Sequence, residues 1–295
     1  MKNRVANRVR QIVSGSPDGR PDWVKQIEIG DDAGLFGPES PVWTVHGNIA
    51  TLVGGVRALL LQAAHPAAMT GVAEHSRYES DPLGRLAGTS RWLTITTFGS
   101  TAAIAREAQR VNAMHAHVVG EYTKKDGSTQ PYKAADPHYL LWVHCAFTDS
   151  FLQTHLAVEP TFTDGDEYVR QWAKSATGLG LTSAPHSMAE LKEVMAEFER
   201  EELAPSQHTD DVVRFILKPP LGTGPLLFYR FLAKSAVHTL TPGQREILGL
   251  KQVSKGWVKI TRYLLAILSW TLGHESPSQR VARARIERIR ATEVN

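Results

Sequence analysis

Cysteine is almost missing from this chain: Cys145 is the single thiol in 295 residues. One cysteine excludes an internal disulfide framework and any CxxC metal site, and it fits a reducing cytoplasm. Long hydrophobic runs are missing too. The longest strongly apolar stretch is Tyr263–Leu268, extending loosely to Leu272. That falls far short of the ~20 residues that span a bilayer. No transmembrane segment is expected; burial in the protein interior is the first reading, and peripheral contact with a membrane surface stays open. The N-terminus, MKNRVANRVRQIVSG, is basic but lacks the continuous apolar core of a secretory signal. An excess of one charge is also absent, since the net charge is +3, so composition implies no nucleic-acid partner. What remains is 42% hydrophobic and 21% charged residues, enough apolar material for one large core.

Several catalytic motifs are missing as well. There is no HExxH, no strand followed by a Gly-rich phosphate loop, and no GxSxG nucleophile elbow. His115 and His117 stand two apart, which on a helix points them in different directions and away from zinc-ligand geometry.

Helix starts are what the chain has in quantity. Ser40-Pro41, Asp81-Pro82, Asp136-Pro137, Thr241-Pro242 and Ser276-Pro277 each pair a capping side chain with proline. The cap accepts a bond from a free first-turn amide, and proline has no N–H to leave unpaired. Ser187–Glu190 and Thr241–Gln244 add capping-box spacings. The spacing predicts helices near 41–64, 66–74, 82–98, 101–120, 137–157, 164–178, 188–203, 209–217, 224–238, 243–250, 254–272 and 277–291. No Asn-Gly turn joins two alternating runs, so no sheet is expected, and 121–136 reads as a polar connection. The predicted fold is all-α, a multi-helix single domain. Residues 1–36 form an N-terminal extension, 37–250 the main helical domain, and 251–295 C-terminal helices packed on it.

Helical phase sorts the buried polar residues. In 101–120, Ile104, Ala108, Val111 and Val118 define an apolar stripe that includes His115, while His117 lies about 200° away. In 137–157, Leu140, His144, Phe147 and Phe151 share a face, with Trp142 and Asp149 off it. His65 precedes Pro66 at a helix junction, where it caps, ligates or packs. Arg85 and Thr89 share a face, and no acidic residue in 82–98 can pair with the arginine. Its anion comes from another helix or from a ligand. Two inward histidines and an arginine seeking an anion suit a haem pocket. The arginines Arg280, Arg283, Arg285, Arg288 and Arg290 read as a solvated helix face.

At these residues the chain resembles the MpaB and rubber oxygenase (latex clearing protein) catalytic-domain family. The carriers are LLLQAAHPAAMTGVAEHSRY (Leu59–Tyr78), DPLGRLAGTSRWL (Asp81–Leu93), RVNAMHAHVVG (Arg110–Gly120) and LLWVHCAFTDS (Leu140–Ser150). Each is weak alone; their order and spacing over about Gly37 to Leu250 are specific. The resemblance implies a globin-like helical core around haem b, with His115 as the axial iron ligand. It implies Arg85 and Thr89 as an Arg-x-x-x-Thr motif beside the haem, and His144 as a further pocket histidine. Two family positions differ: Asn112 stands where an arginine precedes the axial histidine, and Gly88 where a lysine precedes the motif threonine. Glu74 and Glu79 are the nearest candidates for a catalytic glutamate. With no secretion signal, the implied activity is an intracellular haem-b oxygenase that uses dioxygen on a small apolar, unsaturated molecule rather than on external rubber. A haem-binding sensor without turnover, or a haem-free protein holding a lipid-like ligand, are the alternatives.

Overall fold

The structure, a computed structural model, describes residues 21–75 and 82–293, with backbone only at 72–75, 82–87 and 293. In chain order the first helices are α1 (Val24–Glu28), α2 (Pro41–Gly47), α3 (Thr51–Ala63), α4 (Pro66–His75), α5 (Pro82–Phe98) and α6 (Thr101–His115). A hairpin follows, β1 (Val119–Thr123) and β2 (Thr129–Lys133). Next come α7 (Pro137–Val158), α8 (Gly165–Trp172), α9 (Lys174–Thr177), α10 (Met188–Glu201) and α11 (Thr209–Leu217). The chain ends with α12 (Thr223–Thr239), α13 (Pro242–Ile247), α14 (Gly256–Leu272) and α15 (Pro277–Glu293). Helix dominates, as the capping pattern predicts.

The caps form as physical reasoning requires. Ser40 accepts from the Trp43 amide and Asp136 from the His138 amide. Thr241 and Gln244 form a reciprocal box, and Ser276 and Gln279 exchange the same pair of bonds. Ser187 accepts from the Glu190 amide, but the Glu190 carboxylate takes the His186 amide instead, so only half of that box exists. Asp81 lies outside the described residues.

Several expectations fail. The segment 41–64 is not one helix: α2 and α3 meet at a bend of 88°. Asn48 is extended there (φ −77°, ψ 142°), its side chain accepts the Ala50 amide, and its carbonyl takes the Thr51 hydroxyl. These local bonds compete with a continuous helix.

The absence of a sheet is also overturned. Helix α6 ends at His115 rather than near 120, and the polar connection is an antiparallel hairpin with Val119 opposite Lys133 and Thr123 opposite Thr129. Its turn carries Asp126-Gly127, a hairpin signal equivalent to Asn-Gly. Gly127 takes φ +85°, Asp126 accepts the Ser128 amide at 2.9 Å, and Lys124 closes the turn on the Ser128 carbonyl at 2.8 Å. Tyr122 and Tyr132 turn to one face and pack with Tyr139 and Ala67.

Helix α7 runs through the middle of the main core and packs most extensively on α3. Gly54 permits that approach, because a Cβ there would stand 2.5 Å from a Phe151 ring carbon. Since α7 is covered on several sides, no single stripe describes it. Trp142, Cys145 and Leu152 are fully buried, while Phe147 on the expected face is only partly so. Burial and the nearby Asp149 push the Cys145 thiol up to about 12, so it stays protonated.

The C-terminal arginines are not all solvated. Arg285 is buried and donates to the carbonyls of Asp32, Ala33 and Phe98, and to that of Ile27. It ties α15 to the loop after α1. Among the described residues no single helix is long and apolar enough to cross a membrane; the bent pair α2 and α3 meets that test only when both are taken together.

Candidate functional site

A cavity of about 1760 Å³ is walled by α2, α3, α5, α7, α12 and α14. Leu52, Leu59, Leu93, Phe147, Phe151 and Leu265 give it an apolar interior. Each wall follows from an amphipathic register: Leu52 and Leu59 lie seven apart on α3, and Phe147 and Phe151 four apart on α7. Gly55 of α3 also lines the space, and a Cβ there would meet nothing within 4 Å.

Thr89 lines this cavity together with Ser90 and Leu93. The side chain of Arg85 lies outside the described residues, as do those of Glu74 and Glu79. At Gly88 no atom of the described residues stands within 4 Å of a Cβ.

His115 forms the last turn of α6, partly buried, with Nδ1 enclosed and lacking a hydrogen-bond partner. Burial first, and the Arg110 charge second, hold its pKa below the usual histidine value. His117 is exposed. His144 sits inside α7 with Nε2 enclosed and unpartnered, and burial alone lowers its pKa to about 4. Both imidazoles are therefore kept neutral, with a nitrogen the protein does not use. Neither histidine is among the residues lining the large cavity.

His65 is fully buried where α3 hands over to α4. Its Nδ1 accepts the Ala67 amide at 3.2 Å, the role of an N-cap. Its Nε2 lies 3.4 Å from Glu202, at ion-pair distance but without the alignment of a hydrogen bond. The other Glu202 oxygen is 2.7 Å from His138 Nε2. Burial lowers the His65 pKa more than Glu202 raises it. Both of its ring nitrogens face protein groups.

Some polar residues of this region were not singled out by helical phase. His46 lines the cavity and is buried between Thr97 Oγ1, 2.8 Å from Nδ1, and Tyr168 Oη, 2.9 Å from Nε2. Thr97 spends its own hydrogen on the Leu93 carbonyl. Nδ1 of His46 must then donate, and Nε2 accepts from Tyr168. Burial and the neighbouring His155 lower its pKa to about 3, which keeps it neutral. The signal was the helical spacing of Val42, Val45 and His46 behind Ser40-Pro41. Glu107 is a second omission. It is buried and takes Arg91 at 2.8 Å and Arg110 at 2.6 Å. Among the described residues, Arg91 is the arginine of α5 with a protein anion on α6.

Among the described residues, no three His, Cys, Asp or Glu side chains are grouped to hold a bare metal ion. Comparison with curated proteins and with solved structures gives no match. A comparison with protein families does: residues 43–290 match the family described as ER-bound oxygenase mpaB/B'/Rubber oxygenase, catalytic domain. The match runs past Leu250 and takes in α14 and most of α15. The chain therefore belongs to the mpaB/rubber oxygenase catalytic-domain family.

Proposed function

We propose that this protein is a haem-b-dependent oxygenase acting with dioxygen on a small apolar, unsaturated substrate. The observation that carries the reading is the coincidence of an oxygenase-family match over residues 43–290 with a large apolar cavity lined mainly by residues of the matched region. A volume of about 1760 Å³ exceeds the ~300–1,000 Å³ of ordinary small-molecule sites, which leaves room for more than a small substrate.

The donor chemistry fits a haem. A porphyrin supplies four nitrogens of its own, so one neutral imidazole completes the attachment. The unused, enclosed ring nitrogens of His115 and His144 are of that kind. In this reading His115 holds the iron, Arg85 pairs with propionate, and the Thr89 hydroxyl offers a hydrogen bond at the cavity wall. His144 offers a second neutral imidazole on α7, and His65 braces the α3–α4 junction. When bound, haem iron supplies dioxygen activation. The protein contributes orientation and a dry wall, with Leu52, Leu59, Leu93 and Phe147 keeping water from the apolar substrate. A single buried thiol supports a cytoplasmic setting.

A second reading, a haem-free protein holding a lipid-like ligand, is favoured by one observation: His115 and His144 are not among the cavity's lining residues. The absorption spectrum of the purified protein separates the two. A Soret band is expected, lost or shifted in His115→Ala and retained in His117→Ala. Full haem content with an unchanged spectrum in His115→Ala would remove the ligand assignment. A protein that stays colourless after haemin is added would support the second reading.

A further inference from the structure

Helix α14 is apolar on two opposite sides. Val258, Thr261 and Leu265 face inward. On the other side Ile260, Tyr263, Ile267 and Trp270 are 46%, 72%, 62% and 67% exposed. Their spacing puts them on one stripe about 80° wide. Scattered exposed apolar residues are ordinary, but a row of four large ones along one helix is not. Helix α12, packed against α14, adds Leu227 at 57% exposure.

The charge around this stripe has one sign. From Lys218 to His274 the sequence holds eight lysines and arginines and a single acidic residue, Glu246. Neither α12 nor α14 carries a carboxylate side chain. Lys255, Lys259 and Arg262 are exposed beside the stripe. A second copy of this face would bring cations against cations, which disfavours self-association. Apolar side chains, a tyrosine and a tryptophan beside lysines, with no acid among them, match an anionic lipid surface. There the apolar groups enter the acyl boundary and the cations meet the headgroups.

The inward side of the same helix closes the site. Leu265, Leu268 and Leu272 line the large cavity, so α14 separates that cavity from whatever covers its outer face. We propose that α14 docks this protein on an anionic bilayer surface, and that its apolar substrate reaches the cavity from the bilayer. The second half rests on the oxygenase reading; the docking does not.

Sedimentation of the full chain with phosphatidylcholine vesicles, with and without phosphatidylglycerol, tests the docking. The protein is expected to bind the anionic vesicles and to weaken as salt is raised. Ile260→Asp/Ile267→Asp and Lys255→Glu/Lys259→Glu should each lower the affinity by on the order of ten-fold or more. The lysine pair is exposed, so its loss of binding is not a folding defect, and circular dichroism checks the isoleucine pair. Three results would overturn the proposal: no binding at any phosphatidylglycerol content, binding unchanged in both variants, or a wild-type dimer that the isoleucine pair dissociates. No substrate or haem enters this measurement, so its failure is distinct from a failed Soret band.

Discussion

Arg57 Nη2 lies 2.6 Å from Asp149 Oδ2, joining α3 to α7 where the arginine is 1% exposed. The same guanidinium donates to Ser150 Oγ at 3.0 Å and to the Thr239 carbonyl at 3.4 Å. Three helices thus share one buried cation. Ion pairs of this kind add little compared with an apolar pair of similar volume, yet removing one partner strands a charge. Asp149→Asn should therefore destabilise the fold by about 3–5 kcal/mol, read as a lower urea midpoint. Arg57→Met combined with Asp149→Leu should recover most of that loss. A single variant as stable as the parent would show that the pair is not a buried charge contact.

Stability should fall with acid in the range set by the neutral histidines. His46, His144 and His155 have folded pKa values lowered to about 3, about 4 and about 4, each chiefly by burial. An unfolded histidine protonates near pH 6.5. Between that value and the folded ones the unfolded state binds more protons, so stability drops as pH falls through the window. The cost is roughly 1–2 kcal/mol per histidine between pH 7 and pH 5. Chemical denaturation at a series of pH values checks it, and a flat profile from pH 7 to pH 5 would contradict the burial of these rings.

Gly55 allows the cavity to be filled without touching its polar groups. A Cβ there meets nothing within 4 Å and the residue lies inside α3. Gly55→Leu should keep or raise stability, since glycine costs about 1 kcal/mol inside a helix. It should weaken apolar ligand binding at least several-fold, measured by displacement of a fluorescent fatty acid. Gly54→Leu on the same helix should instead destabilise strongly, because Phe151 occupies that space.

Gly127→Ala tests the turn that the hairpin depends on. No atom lies near its missing Cβ, so the cost is purely that of φ +85°. A loss of about 1 kcal/mol is expected, seen as a small drop in melting temperature with the helical signal unchanged.

Much of this fold was legible because capping is local chemistry: Ser40, Asp136, Thr241 and Ser276 each act within three residues of themselves. The hairpin was legible in principle from Asp126-Gly127, but a search limited to Asn-Gly passes over it. The break at Asn48 was not, since Asn48 can either cap locally or join a helix, and tertiary packing decides. Phase analysis supplied the neutral imidazoles of His115 and His144. It left out His46, which continues the Val42–Val45 spacing but takes its partner Tyr168 from 122 positions away. It also left out Glu107, whose partners are Arg110 one turn on and Arg91 on the preceding helix.

Arg285 has a consequence for the order in which the molecule is completed. Its guanidinium closes on carbonyls of Ile27, Asp32 and Ala33, more than 250 positions earlier in the chain. During synthesis those carbonyls emerge more than 250 residues before the arginine that they accept from. The loop after α1 must therefore keep its carbonyls hydrated until α15 has left the ribosome, and the clasp closes only then.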